Sequence, residues 1–115
     1  MATEFDYGQL DAITGGDVEF EREVIEEYLS SAPRDMVKLR AAIEAGDSAA
    51  TGATAHALKG ASATLGAKGF AATALVLEHA GKKGETALAR QTIAALEAEF
   101  TEVLALMRQR LEKAA

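Results

Sequence analysis

Along this chain apolar residues recur at steps of three and four, and nowhere in the strict alternation of a half-buried strand. The stripe is cleanest near the C-terminus, where Ile93, Leu96, Phe100, Val103, Met107 and Leu111 follow one another at that spacing. A helix built this way lays one face along the groove of a bundle. Under three heptads is short for a coiled-coil seam, so core packing is the expectation. Upstream, Phe20, Val24, Ile25 and Leu29 are followed by Met36, Val37, Leu39 and Ile43. Pro33 falls between these two groups and is expected to kink the helix or split it, because it lacks an N–H and its ring crowds the preceding turn.

Boundary residues divide the pattern into five pieces. Asp6 can cap a short first helix, with Gln9 three residues on as in a capping box, and Gly15-Gly16 ends it. Asp17 caps the second helix, with Glu19 and Glu21 near its positive end. Gly46 closes that segment and Asp47 opens the third helix, expected from about Ser48 to Leu65. The fourth runs from about Ala67 to Lys82, with the Gly81 to Gly84 stretch read as punctuation. Helix formers dominate, and there is one proline and no Asn-Gly hairpin turn. Short connections make sequential helices antiparallel. The expected fold is all-α, an antiparallel up-down four-helix bundle with a short extra N-terminal helix, forming one domain over residues 1–115.

Composition narrows the function. With 18 acidic against 12 basic side chains the formal charge is −6, which argues against nucleic-acid binding. No cysteine is present, so thiol catalysis, thiolate metal sites and disulfides are excluded. Met1 to Leu10 has neither a basic start nor an apolar stretch, unlike a secretory signal. No run approaches the roughly 20 apolar residues of a membrane span. A cytoplasmic protein with no membrane partner is expected.

One window differs from an ordinary helix surface: His56-Ala57-Leu58-Lys59-Gly60-Ala61-Ser62-Ala63-Thr64-Leu65-Gly66-Ala67. At about 100° per residue, Thr51, Thr54, Ala55, Leu58, Ser62 and Leu65 share one face, taken as inward because it holds both leucines. Its hydroxyls then need to bond back to carbonyls of their own helix. Nearly opposite lie Ala49, Ala53, His56, Gly60, Ala63 and Ala67. An exposed helix face usually carries long charged side chains. This one surrounds a single imidazole with small residues, and Ala49, Ala53, Ala63 and Ala67 are expected to form flat ground for a docking partner.

Gly60 costs its helix about 1 kcal/mol relative to alanine, one turn after His56. Without a Cβ there, an incoming loop can approach the ring closely. Lys59, three residues on from His56, can bring an ammonium to a negatively charged group beside the ring. Each residue has an ordinary explanation when taken singly: a surface histidine, a solvated lysine, an inter-helix glycine contact. Their joint occurrence does not. Ser62 is given no chemistry beyond the back-bond.

The pattern H-x-L-K-G-x-S-x-x-L-G-A, filled here by His56, Leu58, Lys59, Gly60, Ser62, Leu65, Gly66 and Ala67, resembles the signature of the histidine-containing phosphotransfer (HPt) family, including the related first domain of chemotaxis kinases. The Phe20 to Asp47 stretch and the Leu77-Glu78 pair resemble the family's flanking helices. The resemblance implies a four-helix bundle whose exposed histidine exchanges a phosphoryl group with receiver-domain aspartates or a kinase. It makes His56 the phosphorylated residue, Lys59 the phosphoryl-stabilising lysine and Gly60 the residue that admits the partner. It also puts Glu78, 22 residues after the histidine, near the ring's Nδ1, where an acceptor would fix the tautomer; a plain surface carboxylate is the alternative. Leu75 and Val76 are expected to be deeply buried, with the border of the docking surface as the alternative, and His79 to be plain surface.

No Walker loop, nucleotide loop or acidic Mg²⁺ cluster is visible. The expectation is therefore a carrier rather than an enzyme, with no cofactor of its own and Mg²⁺ residing on the partner receiver domain. Neither Glu-x-x-His pairs nor His-x₃-His spacing occurs, so no metal site is expected. The partners expected are response-regulator receiver domains, a hybrid histidine kinase, or both, and the protein is expected to be a monomer. Met1 and the compact length suggest a freestanding protein. The competing possibilities are the phosphoacceptor domain of a larger kinase and a helical adaptor bundle whose histidine is inert.

Overall fold

The computed structural model describes residues 4–114; Met1 and its two neighbours, on which the N-terminal expectations partly rest, lie outside them. Five helices follow in order: α1 Tyr7–Thr14, α2 Val18–Ala45, α3 Ser48–Leu65, α4 Lys68–Lys83 and α5 Thr86–Ala114. No strand occurs among the described residues. Helices α2 to α5 pack in a closed ring, α2 on α3, α3 on α4, α4 on α5 and α5 back on α2, while α1 lies across α2 and α3.

The caps fall where short acidic side chains precede the apolar stripes. Asp6, Asp17 and Asp47 accept the backbone N–H of Gly8, Phe20 and Ala50 at 3.0–3.1 Å, satisfying donors that the first helical turn leaves open. At Asp6 the side chain reaches Gly8, and Gln9 contributes its backbone N–H to the Asp6 carbonyl at 3.2 Å.

Pro33 does not split the second segment: α2 is one helix of 28 residues. Proline removes a single i→i−4 donor, and the flanking stripes bury Ile25 and Tyr28 before it and Met36 and Leu39 after it in the same core. Packing on both sides outweighs one lost bond. Phe20 and Val37, counted with the apolar stripe, are instead exposed, while Val24 and Leu29 are half-buried.

The core is built from Leu10, Ile25, Leu39, Leu58, Leu65, Phe70, Leu77, Leu96, Val103 and Met107, each contributing about 1.5–3 kcal/mol by removal from water. Phe70 and Tyr28 both pack against Phe100 with tilted rings, their centroids 5.6 and 6.4 Å from its own. Ser62 departs from the back-bond expected of it: its Oγ lies 2.9 Å from the Tyr28 hydroxyl, joining α3 to α2 inside the core. Thr51 does bond back, to the Asp47 carbonyl at 2.8 Å. Burial pushes the Tyr28 phenol up to about 12, partly offset by its bond to Ser62.

The turn between α3 and α4 shows why Gly66 and Ala67 are where they are. Gly66 has φ +97°, a conformation open to glycine. Its carbonyl accepts the Asp6 N–H at 2.7 Å, so the segment before α1 lies directly on it. A Cβ at this position would stand 3.0 Å from the Asp6 carbonyl carbon. Arg110 secures the same end of the bundle, bonding Glu21 of α2 at 3.0 Å and Asp11 of α1 at 2.5 Å, with its guanidinium 5.6 Å from the Tyr7 ring centroid.

Candidate functional site

Helix α3 delivers the imidazole. Thr51, Ala55, Leu58, Ser62 and Leu65 are buried, as the helical repeat requires, so His56 on the far side stands clear with its side chain 66% exposed. Ala49, Ala53, Gly60 and Ala63 are exposed around it. Ala67 is not part of that surface, and its assignment to the docking face is corrected. Helix α3 ends at Leu65, and Ala67 is the fully buried N-cap of α4, covered where the segment before α1 crosses the turn. A helical wheel extended past the end of its helix placed it on the wrong side.

Helix α4 delivers the carboxylate. It lies against α3 where Gly81 meets Gly52, and Glu78, one turn before Gly81, comes under the imidazole. Glu78 is only 3% exposed. Its Oε2 is 3.1 Å from His56 Nδ1 and accepts a bond from Lys82 Nζ at 2.8 Å. Its Oε1 pairs with Lys59 Nζ at 2.7 Å. That last contact is an ion pair by distance without the alignment of a hydrogen bond, whereas those to Oε2 are aligned. The Lys59 ammonium first, and then those of Lys82 and the bond to His56, hold the Glu78 carboxyl down from 4.5 to about 2 against the opposing effect of burial.

An ionised carboxylate can only accept hydrogen bonds. In the neutral imidazole, Nδ1 facing Oε2 therefore carries the proton, and Nε2 holds the lone pair on the open side of the ring. The arrangement presents a nucleophilic nitrogen to solvent, with two ammonium groups gathered on the carboxylate that holds the ring's other nitrogen. Lys59 waits on Glu78 rather than reaching into solvent. A Cβ added to Gly60 would meet nothing within 4 Å, so this glycine fills no packing requirement inside the protein.

Two depressions border α3, one at His56 and one reaching Gly60. One of 430 Å³ is bounded by Ala49, Gly52, Ala53, His56, Glu78 and Lys82. Another, an apolar groove of 400 Å³ between α2 and α3, runs from Gly60 along Ala61, Thr64 and Leu65 to Phe20, Val24 and Tyr28.

On α4, His79 is exposed as expected. Leu75 and Val76 are exposed too, at 37% and 42%, not deeply buried. The core-facing side of α4 is already filled by Phe70, Ala71, Ala74, Leu77 and Glu78, which turns the intervening positions outward. Lys82 was missed from the sequence, although its spacing of four from Glu78 is that of a helical ion pair. Gly81, taken there for punctuation, lies inside α4 and is buried; Gly84 alone caps the helix. Among the described residues no group of three or more His, Asp or Glu side chains is arranged to hold a metal ion, and no helix is long and apolar enough to cross a membrane.

A family model described as the Hpt domain matches residues 23–106. Among solved structures, the chain is similar to histidine-containing phosphotransfer protein B (HptB) from Pseudomonas aeruginosa PAO1. The two are 27% identical, and the match covers 98% of each chain with a TM-score of 0.91. No curated protein sequence matches significantly.

Proposed function

The chain belongs to the Hpt domain family and is a histidine phosphotransfer intermediate of phosphorelay signalling; from that premise we propose that His56 is the residue that carries the phosphoryl group. The observation behind this is the 3.1 Å contact of His56 Nδ1 with the buried Glu78 carboxylate, on a ring otherwise open to solvent.

In the forward step the Nε2 lone pair attacks the phosphorus of a receiver's aspartyl phosphate. The Nε2–P bond forms as the P–O bond breaks, the aspartate leaves as a free carboxylate, and Nδ1 keeps its proton on Glu78. The reverse sequence passes the group on. Lys59 meets the charge of the phosphoryl oxygens, and Gly60 admits the partner's active-site loop. Exposed Ala49, Ala53 and Ala63 form the floor on which the partner settles.

Mg²⁺ and most of the transition-state electrostatics reside on the receiver. The protein is a carrier that neither binds ATP nor phosphorylates itself. It works as one unit over residues 1–115, as a cytoplasmic monomer, with receiver domains or a hybrid kinase as partners. The same chemistry would serve as the phosphoacceptor domain of a larger kinase.

The test is to load the protein from a phosphorylated receiver and map the label. An acid-labile, alkali-stable phosphate lost in His56→Gln and kept in His79→Gln is expected. Full labelling in His56→Gln would overturn the assignment, and no labelling of the wild type would favour an inert adaptor bundle.

A further inference from the structure

We infer that Lys82 is a positioning residue for transfer: bonded to Glu78 Oε2, it keeps that carboxylate charged and facing His56 Nδ1 while Lys59 leaves for the phosphoryl group. The inference rests on His56 being the phosphorylated residue.

Glu78 serves three partners with two oxygens. Oε2 receives aligned bonds from His56 Nδ1 at 3.1 Å and from Lys82 Nζ at 2.8 Å, while Oε1 has only the unaligned ammonium of Lys59 at 2.7 Å. A phosphoryl group on Nε2 brings close to two negative charges beside the ring. Lys59 is on the same helix as His56, one turn on, and it holds the oxygen of Glu78 that does not face the ring. Lys59 is thus the cation free to transfer.

Its departure would leave a 3%-exposed carboxylate near a dianion, and a buried charge stripped of its counter-ion is strongly unfavourable. Glu78 would then turn away or take up a proton, and in either case Nδ1–H would lose the acceptor that sets the tautomer. Lys82 prevents this. It is four residues from Glu78 on α4, so the helix that carries the carboxylate also carries its remaining cation, whatever α3 or a docked partner does. An exposed i,i+4 pair usually contributes little. Here the partner oxygen is buried and shared with the imidazole, so orientation of the ring depends on it. Lys82 is itself 65% exposed, and replacing it leaves the core intact.

The experiment uses the full chain with Lys82→Met, Lys82→Arg, Lys59→Met and the Lys59→Met/Lys82→Met pair, with Lys82→Gln replacing Lys82→Met if circular dichroism shows lost helix. Ring ¹⁵N shifts are recorded before any donor is added. Potassium phosphoramidate then loads the ring, its P–N bond breaking with loss of ammonia, and ³¹P NMR follows decay of the phosphohistidine. Lys82→Met should populate the Nε2–H tautomer and shorten the phosphohistidine half-life by on the order of fivefold, and Lys82→Arg should restore both. Adding Lys59→Met to Lys82→Met should shift the tautomer further, because Glu78 then has no cation. It should nevertheless shorten the half-life by less than Lys59→Met does alone, because in the Lys82→Met background Lys59 stays on Glu78 and does not meet the phosphoryl group. An unchanged tautomer and half-life in Lys82→Met, or independent effects of the two lysines, would overturn the inference. Phosphoryl uptake by His56→Gln would instead overturn the assignment of His56 beneath it.

Discussion

Gly81 of α4 lies against Gly52 of α3 so closely that a Cβ on Gly81 would stand 2.7 Å from the Gly52 Cα and 2.8 Å from the Ser48 carbonyl oxygen. This contact sets the separation of the two helices just where it matters. Glu78 is three residues before Gly81, His56 is four residues after Gly52, and the pair meets one turn along from the crossing. A backbone contact that only glycine allows thus determines a side-chain distance in the site.

The two glycines should respond differently to alanine. Gly81→Ala gains helix propensity of about 1 kcal/mol, but its methyl meets backbone that cannot step aside. Overpacking of this kind typically costs about 1–3 kcal/mol. Net destabilisation in urea titrations is expected, together with a shifted ring tautomer at His56 as the helices separate. A Cβ at Gly52 would have its nearest neighbour at 3.5 Å, ordinary contact, so Gly52→Ala should be neutral or stabilising. Equal effects of the two would remove the crossing as the determinant of the site.

At Gly60 the open space around an added Cβ removes any packing reason for glycine. Gly60→Ala should raise stability by up to about 1 kcal/mol through helix propensity. Gly60→Gln and Gly60→Glu should fold normally yet slow transfer from a receiver, as the longer side chain occupies the partner's approach beside His56. Wild-type transfer rates in both would show that access to the ring does not depend on this position.

Lys59 and Glu78 should divide along the reaction. Lys59 acts once phosphorus is near the ring, so Lys59→Ala should reduce the transfer rate or the phosphohistidine lifetime with the free ring's tautomer unchanged. Glu78 acts before any donor arrives, and Glu78→Ala should redistribute the proton between Nδ1 and Nε2, visible in ring ¹⁵N spectra. A wild-type spectrum for Glu78→Ala would mean that something other than this carboxylate orients the imidazole.

Acid should expose the same cluster. In the folded protein the Glu78 carboxyl is held down to about 2 by Lys59 first and Lys82 next, against an ordinary value of 4.5. A carboxyl depressed on folding contributes stability that is complete above its unfolded value and is lost as pH falls towards its folded one. The contribution of Glu78 should therefore be present above about pH 4.5 and erode between there and about pH 2. Urea titrations across this window should give a steeper acid limb for the wild type than for Glu78→Gln, which has no proton to bind. Parallel limbs would mean that the carboxylate gains nothing from its cations on folding.

What this sequence determines by itself is chiefly what lies within a helical turn. Asp6, Asp17 and Asp47 mark starts, and Gly46 and Gly66 mark ends, because a cap is made by a residue and its neighbours a few positions away. The small-residue face around His56 is legible for the same reason: helical periodicity alone separates Ala49, Ala53, Gly60 and Ala63 from buried Leu58 and Leu65. Where the helix stops, so does that inference, and Ala67 fell on the buried side. The tertiary structure decided the rest. Whether Glu78 is a surface carboxylate or a buried acceptor depends on how far α4 stands from α3, which Gly52 and Gly81 settle across 28 intervening positions of sequence. That Lys59 rests on Glu78, that the oxygen bonded by Lys82 within α4 also faces His56 Nδ1 of α3, and that Ser62 finds the Tyr28 hydroxyl likewise depend on contacts between helices. Periodicity gives the direction in which a side chain points from its own helix; the partner it meets depends on the distance and rotation of the next, which only the packed core sets.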